Sequence, residues 1–269
     1  MRPEVTEVTE VTQVPKRLAL MGAMQEELVA ILACMPDAHC ERVAGREFWL
    51  GHFEGHDVVA VLSGIGKVAA ALTATVLIER FGVSRMVFTG VAGGLAAQAH
   101  VGDVVLATEL LQHDMDASPL FPRHEVPLTG MTRYPTDLVL TEALRHAVPL
   151  ALQDVVTHLP RSDWLGLDLT QAHVHEGLVI SGDRFVSTTV ESAALQRELP
   201  DALAVEMECA AMAQVCHDYG VPLAAVRTIS DRADDAAHVD FPKFIQTIAS
   251  RYSVAVLDRL LAQLPASIT

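Results

Sequence analysis

Short apolar segments typical of β-strands alternate with helix-like segments along most of the chain, and this alternation constrains the fold more than any other feature. The first strand-like run is RLALMG, Arg17 to Gly22, and a helix pattern follows from Met24 to about Met35. The alternation continues to a closing helix, Phe241 to Leu264. Strands alternating with helices build a mostly parallel sheet with helices on its faces. We therefore predict an α/β fold: a single three-layer domain with a mixed, mostly parallel central sheet flanked by helices.

Turn residues mark several element boundaries. The pair Glu54-Gly55 separates the runs FWLGHF and DVVAVLSG and predicts a hairpin between them, while Gly66 and Gly82 flank an apolar helix. A long loop is predicted from about His113 to Pro135, and the stretch from Pro149 to His175 shows no regular pattern. Further strands are predicted at MVFTG, VGDVVLATE, VHEGLVISGD, ALAVE and PLAAVRTIS, and further helices at Leu138 to Ala147, Val190 to Leu199 and MECAAMAQVCHDYG.

Composition narrows the class of partner and the compartment. No linker divides the 269 residues into two cores, so we expect one domain over residues 17–269, with residues 1–16 as a disordered tail or an over-long gene start. A formal net charge of −15 argues against nucleic acid and anionic membranes, which leaves small molecules or a second copy as partners. The four cysteines lack CxxC spacing, the histidines lack metal spacing, and no apolar run could span a bilayer, so we expect a cytoplasmic protein without cofactor or metal.

Acidic residues follow several of the predicted strands. Glu27 comes after the first strand, Glu206 and Glu208 after a later one, and Asp231 after the last, with Arg227 close by. The carboxyl ends of parallel strands share one edge of a sheet, so these carboxylates should meet there. Crowded, buried carboxylates repel one another and oppose folding, which suggests a chemical purpose. Taken singly, Glu27 also fits a first-turn helix residue and Asp231 a helix N-cap. Composition and spacing alone therefore stop at an α/β enzyme with an acidic pocket.

With its motifs in order, the chain resembles the bacterial 5′-methylthioadenosine/S-adenosylhomocysteine nucleosidases of the nucleoside phosphorylase superfamily. The motifs lie between about Arg17 and Leu264 and are GAMQEEL, SGIGKVAAA, TGVAGGL, VGDVV, HDMDAS, SGDRF, AVEMECAAMAQVC and VRTISDRAD. The resemblance implies a nucleoside phosphorylase-like fold. It also implies hydrolysis of the N-glycosidic bond of the two nucleosides, which yields adenine and the free thioribose.

The resemblance also implies roles for individual residues. Glu27 resembles the base that activates the attacking water, and Asp231 the acid that protonates adenine at N7. A proton is needed because adenine is a poor leaving group until a ring nitrogen is protonated. The implied substrate-binding residues are Glu208 and Met207 at the ribose, Ala92 and Gly93 along ribose and base, Phe185 and Val186 at the purine, Ile65 and Phe241 at the 5′ substituent, Arg227 at the water, and Ser230.

Two positions depart from the family pattern, and three other functions stay open. Val91 stands where a serine is usual, and Val186 where an isoleucine is common.

The resemblance implies a homodimer in which the loop Leu120 to Pro127, with Phe121, closes the 5′ pocket of the other subunit. The alternatives are an aminodeoxyfutalosine nucleosidase, a purine nucleoside phosphorylase and a nucleoside-binding protein without turnover. Glu26 and Glu27 would repel a phosphate dianion, which favours hydrolysis over phosphorolysis.

Overall fold

The computed structural model describes residues 17–265, apart from residues 165, 167, 168 and 236 and the side chains of 238–240 and 243. The predicted tail, residues 1–16, lies outside the described part. The strands are β1 (Arg17–Gly22), β2 (His39–Val43), β3 (Arg46–Phe53), β4 (His56–Leu62), β5 (Val83–Phe88), β6 (Val91–Gly94), β7 (Val104–Gln112), β8 (Tyr134–Pro135), β9 (Val174–Ser181), β10 (Ala202–Glu206) and β11 (Leu223–Asp231). The helices are α1 (Gln25–Ala33), α2 (Lys67–Phe81), α3 (Leu138–His158), α4 (Thr189–Glu198), α5 (Cys209–Tyr219), α6 (Ala237–Phe244) and α7 (Ser250–Leu261).

The strands form one mixed sheet in the order β2-β3-β4-β1-β5-β11-β6-β10-β9-β7-β8. Of the eleven pairings between described strands, six are parallel and five antiparallel. Strand β11 also pairs with β7, so β11, β6, β10, β9 and β7 close into a small barrel at one end of the sheet. All nine residues of β11 are buried, as expected for a strand at this junction.

Helices cover both faces of the sheet, which confirms the predicted three-layer α/β fold. Alternate residues of β1 point to opposite faces. Leu18 and Leu20 pack in the core that includes residues of α1, α3 and α7, while Ala19 and Met21 pack in the core that includes residues of α2 and α5. Burying each leucine contributes about 1.5–3 kcal/mol, so the two cores together hold the sheet between its helices.

The predicted hairpin and the predicted ends of α2 are confirmed. Strands β3 and β4 pair antiparallel around Glu54 and Gly55, whose φ angles of 47° and 76° are left-handed. Two left-handed residues form the type of turn that suits a two-residue hairpin. Gly82 caps the end of α2 with a φ of 63°, and its N–H donates to the carbonyl of Ile78.

The prediction that the stretch from Pro149 onward is irregular was wrong for its first ten residues. Helix α3 continues through Pro149 to His158. A proline inside a helix removes one backbone hydrogen bond, which usually ends the helix. Here Ala151, Leu152 and Val155 are buried after the proline, in the core that also contains residues of α7, so tertiary packing offsets the missing bond.

Further elements differ from the sequence-based expectations, among them the short strands β6 and β8, which were not predicted. Strand β2 was not predicted; it pairs with β3 at the edge of the sheet and buries none of its residues, so its sequence carries little apolar signal. The closing helix is interrupted by a π-helical turn, Ile245–Ala249, between α6 and α7. Within the described residues, no helix is long and apolar enough to cross a membrane.

Candidate active site

The carboxyl ends of the central strands meet at one edge of the sheet, as predicted. The N–H of Ser63, after β4, donates to the carbonyl of Gly22 at 3.0 Å, and the N–H of Thr89, after β5, donates to Met21 at 2.9 Å. Thr228 of β11 donates to the carbonyl of Gly90 at 2.9 Å. The connections that follow β1, β4 and β5 are thereby held against the outer half of β11.

Glu27 lies in the first turn of α1 and is fully buried. Its Oε2 accepts the N–H of Met24 at 3.1 Å and of Ala23 at 3.2 Å, and its Oε1 accepts the hydroxyl of Ser253 at 2.7 Å. Burial raises the pKa of this carboxyl above its ordinary value, although the Ser253 hydrogen bond and the charge of Arg227 oppose the rise. The result is a carboxylate that attracts a proton more strongly than an exposed glutamate does.

Arg227 is the buried cation of the site. Its Nη2 donates to Oε2 of Glu206 at 3.1 Å, its Nη1 donates to the carbonyl of Phe88 at 3.3 Å, and its guanidinium lies 3.8 Å from the centre of the Phe88 ring. A buried guanidinium needs such partners because burial without them is costly. Its Nε is buried and has no hydrogen-bond partner among the described residues.

Glu206 and Glu208 lie on either side of Met207 and are both buried, with different surroundings. Glu206 accepts hydrogen bonds from the Ser181 hydroxyl, the Arg227 guanidinium and the N–H groups of Glu208 and Cys209. Glu208 accepts the N–H of Gly66 at 2.8 Å. Burial and the neighbouring charge of Glu206 raise the pKa of Glu208 to about 7. Glu206 therefore anchors the network, while Glu208 presents a carboxyl that exchanges a proton near neutral pH.

Gly66 connects this carboxyl to the start of α2. Its φ is 87°, and a Cβ at this position would lie 2.8 Å from Oδ1 of Asp183, so a side chain here would collide and strain the backbone. The same carboxylate oxygen accepts the N–H of Lys67 at 2.7 Å, and Lys67 pairs with Asp114 at 2.6 Å. The HDMDAS and SGDRF motifs are thereby tied to the turn that contacts Glu208.

Asp231 ends β11 and is buried. Its Oδ1 accepts the N–H of Ala233 at 2.8 Å, and its Oδ2 accepts the hydroxyl of Ser230 at 2.8 Å. Strand β6 runs beside it, and a Cβ added to Gly93 would lie 3.1 Å from Oδ1 of Asp231. The same Cβ would lie 2.9 Å from the Cβ of Ala233, so a side chain at Gly93 would collide where β6 passes the end of β11. Ala92 precedes Gly93 in β6 and is buried.

Aromatic and apolar residues predicted at the substrate lie at this edge with different exposures. The rings of Phe185 and Phe241 meet edge to face with their centroids 5.6 Å apart, and Phe185 is 44% exposed. Val186 is buried, Met207 is half-buried, and Ile65 is 70% exposed. Ile65 precedes Gly66, which contacts Glu208, and its side chain lies mostly in solvent at the rim of the strand-end site. Val91, at the position where a serine is usual, is buried in the apolar core.

Hydrogen bonds hold the predicted polar residues in separate groups around Glu27, Arg227 and Asp231, and they involve three residues for which no catalytic or binding role was predicted. Glu206 organises the network, Ser181 donates to it, and Ser253 donates to Glu27 from the closing helix. Glu206 was predicted among the carboxylates at this edge, though without a role of its own, and Ser181 belongs to a strand-end motif in which it could have been found. Ser253 lies in a helical pattern that carries no such signal.

Two other features bear on what the site can hold. A cavity of about 310 Å³ lies at the opposite, amino end of β1 and β4, with Arg17, His52 and Asp57 in its wall, and none of the predicted site residues lines it. Among the described residues, no group of three or more histidine, cysteine, aspartate or glutamate side chains could hold a metal ion. The strand-end site offers carboxyl groups, hydroxyls, backbone N–H groups and the guanidinium of Arg227.

Comparisons with known proteins agree on one family. The sequence model of the phosphorylase superfamily matches residues 17–262. The 5′-methylthioadenosine/S-adenosylhomocysteine nucleosidase of Shewanella baltica (strain OS155) is 34% identical over 92% of this chain and 96% of the relative. The nucleosidase of the same name from Bacillus thuringiensis (strain Al Hakam) is 36% identical over 91% of this chain and 99% of the relative.

Solved structures are similar over the same length. The Neisseria meningitidis 5′-methylthioadenosine/S-adenosylhomocysteine nucleosidase in complex with methylthio-immucillin-A has a TM-score of 0.81 and 32% identity, covering 93% of this chain and 100% of that one. The futalosine hydrolase of Helicobacter pylori strain 26695 has a TM-score of 0.79 and 30% identity, covering 93% of this chain and 99% of that one.

Proposed function

Because this chain belongs to the phosphorylase superfamily and, within it, to the 5′-methylthioadenosine/S-adenosylhomocysteine nucleosidase family, we propose that it hydrolyses these two nucleosides to adenine and the free thioribose. The observation that carries this proposal is the buried carboxyl of Glu27, which accepts three hydrogen bonds and whose pKa is raised by burial. A general base needs a pKa near the working pH and a fixed orientation, and Glu27 has both a raised pKa and fixed partners.

Asp231 is the proposed acid that delivers a proton to N7 of the adenine. The Ala233 N–H and the Ser230 hydroxyl hold its two oxygens, and Gly93 lies beside Oδ1. Protonation turns adenine into a good leaving group, and positive charge then develops on the ribose. A carboxylate at Glu208, which we propose binds the ribose hydroxyls, stabilises that charge.

Glu27 completes the reaction by accepting a proton from the attacking water. The water adds to the anomeric carbon as the bond to adenine breaks, and its proton passes to Oε1 or Oε2 of Glu27. Arg227 lowers the pKa of Glu27, and we propose that it also helps to hold the water. Only a weak nucleophile is needed, because the ribose already carries positive charge in the transition state.

The charge balance of the site favours water over phosphate as the nucleophile. The carboxyl groups of Glu27, Glu206 and Glu208 all interact with the buried guanidinium of Arg227, which already pairs with Glu206 at 3.1 Å. A phosphate dianion beside these carboxylates would meet a repulsion of a few kcal/mol in a partly dry pocket. Phosphate sites usually offer arginines or several backbone donors.

The apolar part of the site is proposed to bind the base and the 5′ group. Phe185 stacks on the purine, the backbone of Val186 reads its edge, and Ala92 and Gly93 line the ribose and base. The 5′ substituent lies against Phe241 and Ile65. The contact between Phe185 and Phe241 supports a continuous apolar wall from purine to 5′ group.

We also propose that the enzyme is a homodimer with a shared 5′ pocket. Val68 and Leu72, four positions apart on one side of α2, are 80% and 41% exposed, and Ile65, in the turn before the helix, is 70% exposed. Leu120, in the loop after β7, is 84% exposed. Such apolar residues at the rim of a polar site fit a second copy, whose loop Leu120 to Pro127, with Phe121, would close the pocket.

The substrate assay compares three nucleosides. Adenine release from methylthioadenosine, adenosylhomocysteine and aminodeoxyfutalosine is measured with purified enzyme by following the absorbance change of the freed base. We expect kcat/KM for the two thioadenosines to exceed that for aminodeoxyfutalosine. The last substrate is included because a futalosine hydrolase is among the similar structures. Preferential cleavage of aminodeoxyfutalosine would replace the proposed substrates, and absence of adenine release from all three would contradict the proposal.

A further inference from the structure

The hydroxyl of Ser253 donates a hydrogen bond to the carboxyl of Glu27, although the two residues are far apart along the chain. The donor lies in α7, 226 positions along the chain from Glu27, and the hydrogen bond to Oε1 measures 2.7 Å. Ser253 is 5% exposed and Glu27 is fully buried, so solvent does not compete for this bond. The other carboxylate oxygen is held by the N–H groups of Ala23 and Met24. Ser253 therefore fixes the half of the carboxylate that the first turn of α1 leaves free.

This bond replaces one that the helix itself offers. Hydroxyl side chains inside helices usually donate to the carbonyl four residues earlier. Thr73 and Thr75 in α2 do so, at 2.9 Å each to Ala69 and Ala71. Ser253 instead donates to the side chain of Glu27. The hydroxyl thus donates its hydrogen bond to a carboxylate of α1 and not to a carbonyl of its own helix.

The π-helical turn Ile245–Ala249 brings Ser253 to the correct side of the closing helix. Ser253 lies twelve positions after Phe241, which would place it about 120° around a continuous α-helix from that residue. A single π-helical turn absorbs one extra residue and reduces the offset to about 20°. The rings of Phe244 and Tyr252, eight positions apart, meet at 6.4 Å, as the reduced offset requires. Phe241, at the proposed 5′ pocket, and Ser253, at Glu27, therefore share one face.

We propose that Ser253 is a positioning residue for the base Glu27, held in place by the π-helical turn, an inference that rests on the proposed function. The hydroxyl donates to the charged carboxylate and keeps Oε1 in one orientation. The water that Glu27 activates then meets a carboxylate of fixed direction, with the charge of Arg227 nearby. Because Ser253 acts through Glu27, its effect belongs to the deprotonation step and not to the binding of the nucleoside.

The sign of the expected pH effect follows from the hydrogen bond. A donor to the charged carboxylate lowers its pKa, and the bond from Ser253 is the largest of the effects that lower the pKa of Glu27. Removing the hydroxyl should therefore raise that pKa. Since Glu27 must be deprotonated to act as a base, the acidic limb of kcat/KM against pH should move to higher pH in Ser253→Ala.

The test measures the pH profile of adenine release from methylthioadenosine for three variants. We expect Ser253→Ala to lose about tenfold in kcat at neutral pH, to shift the acidic limb upward by about one pH unit, and to recover part of the loss at higher pH. KM should change by less than about threefold. Ser253→Thr keeps the donor, so its acidic limb should stay at the wild-type position. Ser192→Ala is the matched control, because this buried helical serine donates only to the backbone carbonyls of Thr188 and Thr189.

The outcomes separate this inference from the proposed function. A wild-type enzyme without nucleosidase activity would defeat the proposed function. An active wild type whose acidic limb is unchanged in Ser253→Ala would overturn the role of Ser253 alone, as would equal upward shifts in Ser253→Ala and Ser253→Thr. Should Ser253→Ala not yield folded protein, Ser253→Cys is the near-isosteric substitute. Its thiol is a weak donor, so an upward shift supports the inference and an unchanged limb contradicts it.

Discussion

Glu206 and Glu208 occupy the same buried edge, yet their surroundings assign them different roles. Glu206 accepts bonds from two backbone N–H groups, a hydroxyl and the guanidinium of Arg227, whereas Glu208 accepts one N–H from Gly66. The sequence motif predicted the importance of Glu208 but not this division, because it depends on which donors the fold supplies to each carboxyl. Ser253 is a further example, since its contact with Glu27 joins distant parts of the chain.

Glu208→Gln should stabilise the protein at high pH. Its folded-state pKa of about 7 lies above the ordinary glutamate value, so the folded state holds this proton more tightly than the unfolded state does. The resulting stabilisation is present below about pH 4.5 and disappears as the pH rises to 7. At pH 8 the wild type keeps a buried, charged carboxylate at this position, and the glutamine variant does not. The free energy of unfolding of the variant should therefore exceed that of the wild type by roughly 2–3 kcal/mol at pH 8.

Urea unfolding at pH 5 and pH 8 measures this difference. Glu26→Gln, which alters an exposed carboxylate on α1, serves as the control and should differ from the wild type equally at both pH values. A Glu208→Gln variant that is no more stable than the wild type at pH 8 would show that the charged carboxylate of Glu208 does not destabilise the folded state. We expect the stabilised variant to lose activity, because a charge at the ribose is lost.

Asp231→Asn should abolish most turnover while it preserves binding. The amide keeps the shape of the side chain but has no acidic proton for adenine, a loss of about 10²–10⁴-fold in kcat. Steady-state kinetics give the rate, and calorimetric titration with a non-hydrolysable adenosine analogue gives the affinity, which should stay within about tenfold of the wild type. Turnover close to that of the wild type would remove Asp231 from the role of acid.

At the scale of elements, local pattern and turn chemistry predicted most of the fold. The hairpin at Glu54-Gly55 and the caps of α2 follow from residues that prefer those conformations. The extension of α3 past Pro149 could not be predicted in this way, because it depends on packing against α7. The π-helical turn Ile245–Ala249 was equally hidden, since its sequence is compatible with a regular helix. Closure of the barrel through β11 and β7 depends on pairings between distant segments.

Pro149→Ala tests whether packing compensates for the proline in α3. Pro149 is exposed in the middle of the helix, so alanine restores a backbone donor without entering the core. The free energy of unfolding should rise by roughly 1–2 kcal/mol, because the helical gain exceeds the added entropy of the unfolded chain. Leu138→Ala, at an exposed position of the same helix, should change stability by less than about 0.5 kcal/mol. A destabilised Pro149→Ala would mean that the core requires a helix bent by proline.

At the scale of the whole molecule, the site combines two parts of the sheet. Glu27 follows β1, in the open part, while Asp231 and Glu206 end strands of the barrel, and β11 belongs to both parts. The predicted alternation of strands and helices was sufficient to bring these strand ends to one edge. Assembly with a second copy lies beyond a single chain, so the shared pocket remains a prediction.

Val68→Glu should weaken the proposed dimer. Val68 is 80% exposed on α2, and a charge buried between subunits would carry a desolvation cost. Sedimentation velocity should show a shift toward monomer, and KM for methylthioadenosine should rise because the partner loop no longer closes the pocket. Val139→Glu is the matched control, since Val139 is 72% exposed on α3. A wild-type enzyme that is an active monomer at assay concentration would rule out the shared site.

Identification of the sugar product in the presence and absence of phosphate tests the central claim most directly. Methylthioadenosine is incubated with the enzyme in phosphate buffer and in phosphate-free buffer, and the products are identified by NMR while adenine release is timed. The carboxyl groups of Glu27, Glu206 and Glu208 around Arg227 predict equal rates in both buffers and free methylthioribose as the sole sugar product. A sugar 1-phosphate among the products, or a rate that vanishes without phosphate, would contradict hydrolysis by water activated at Glu27.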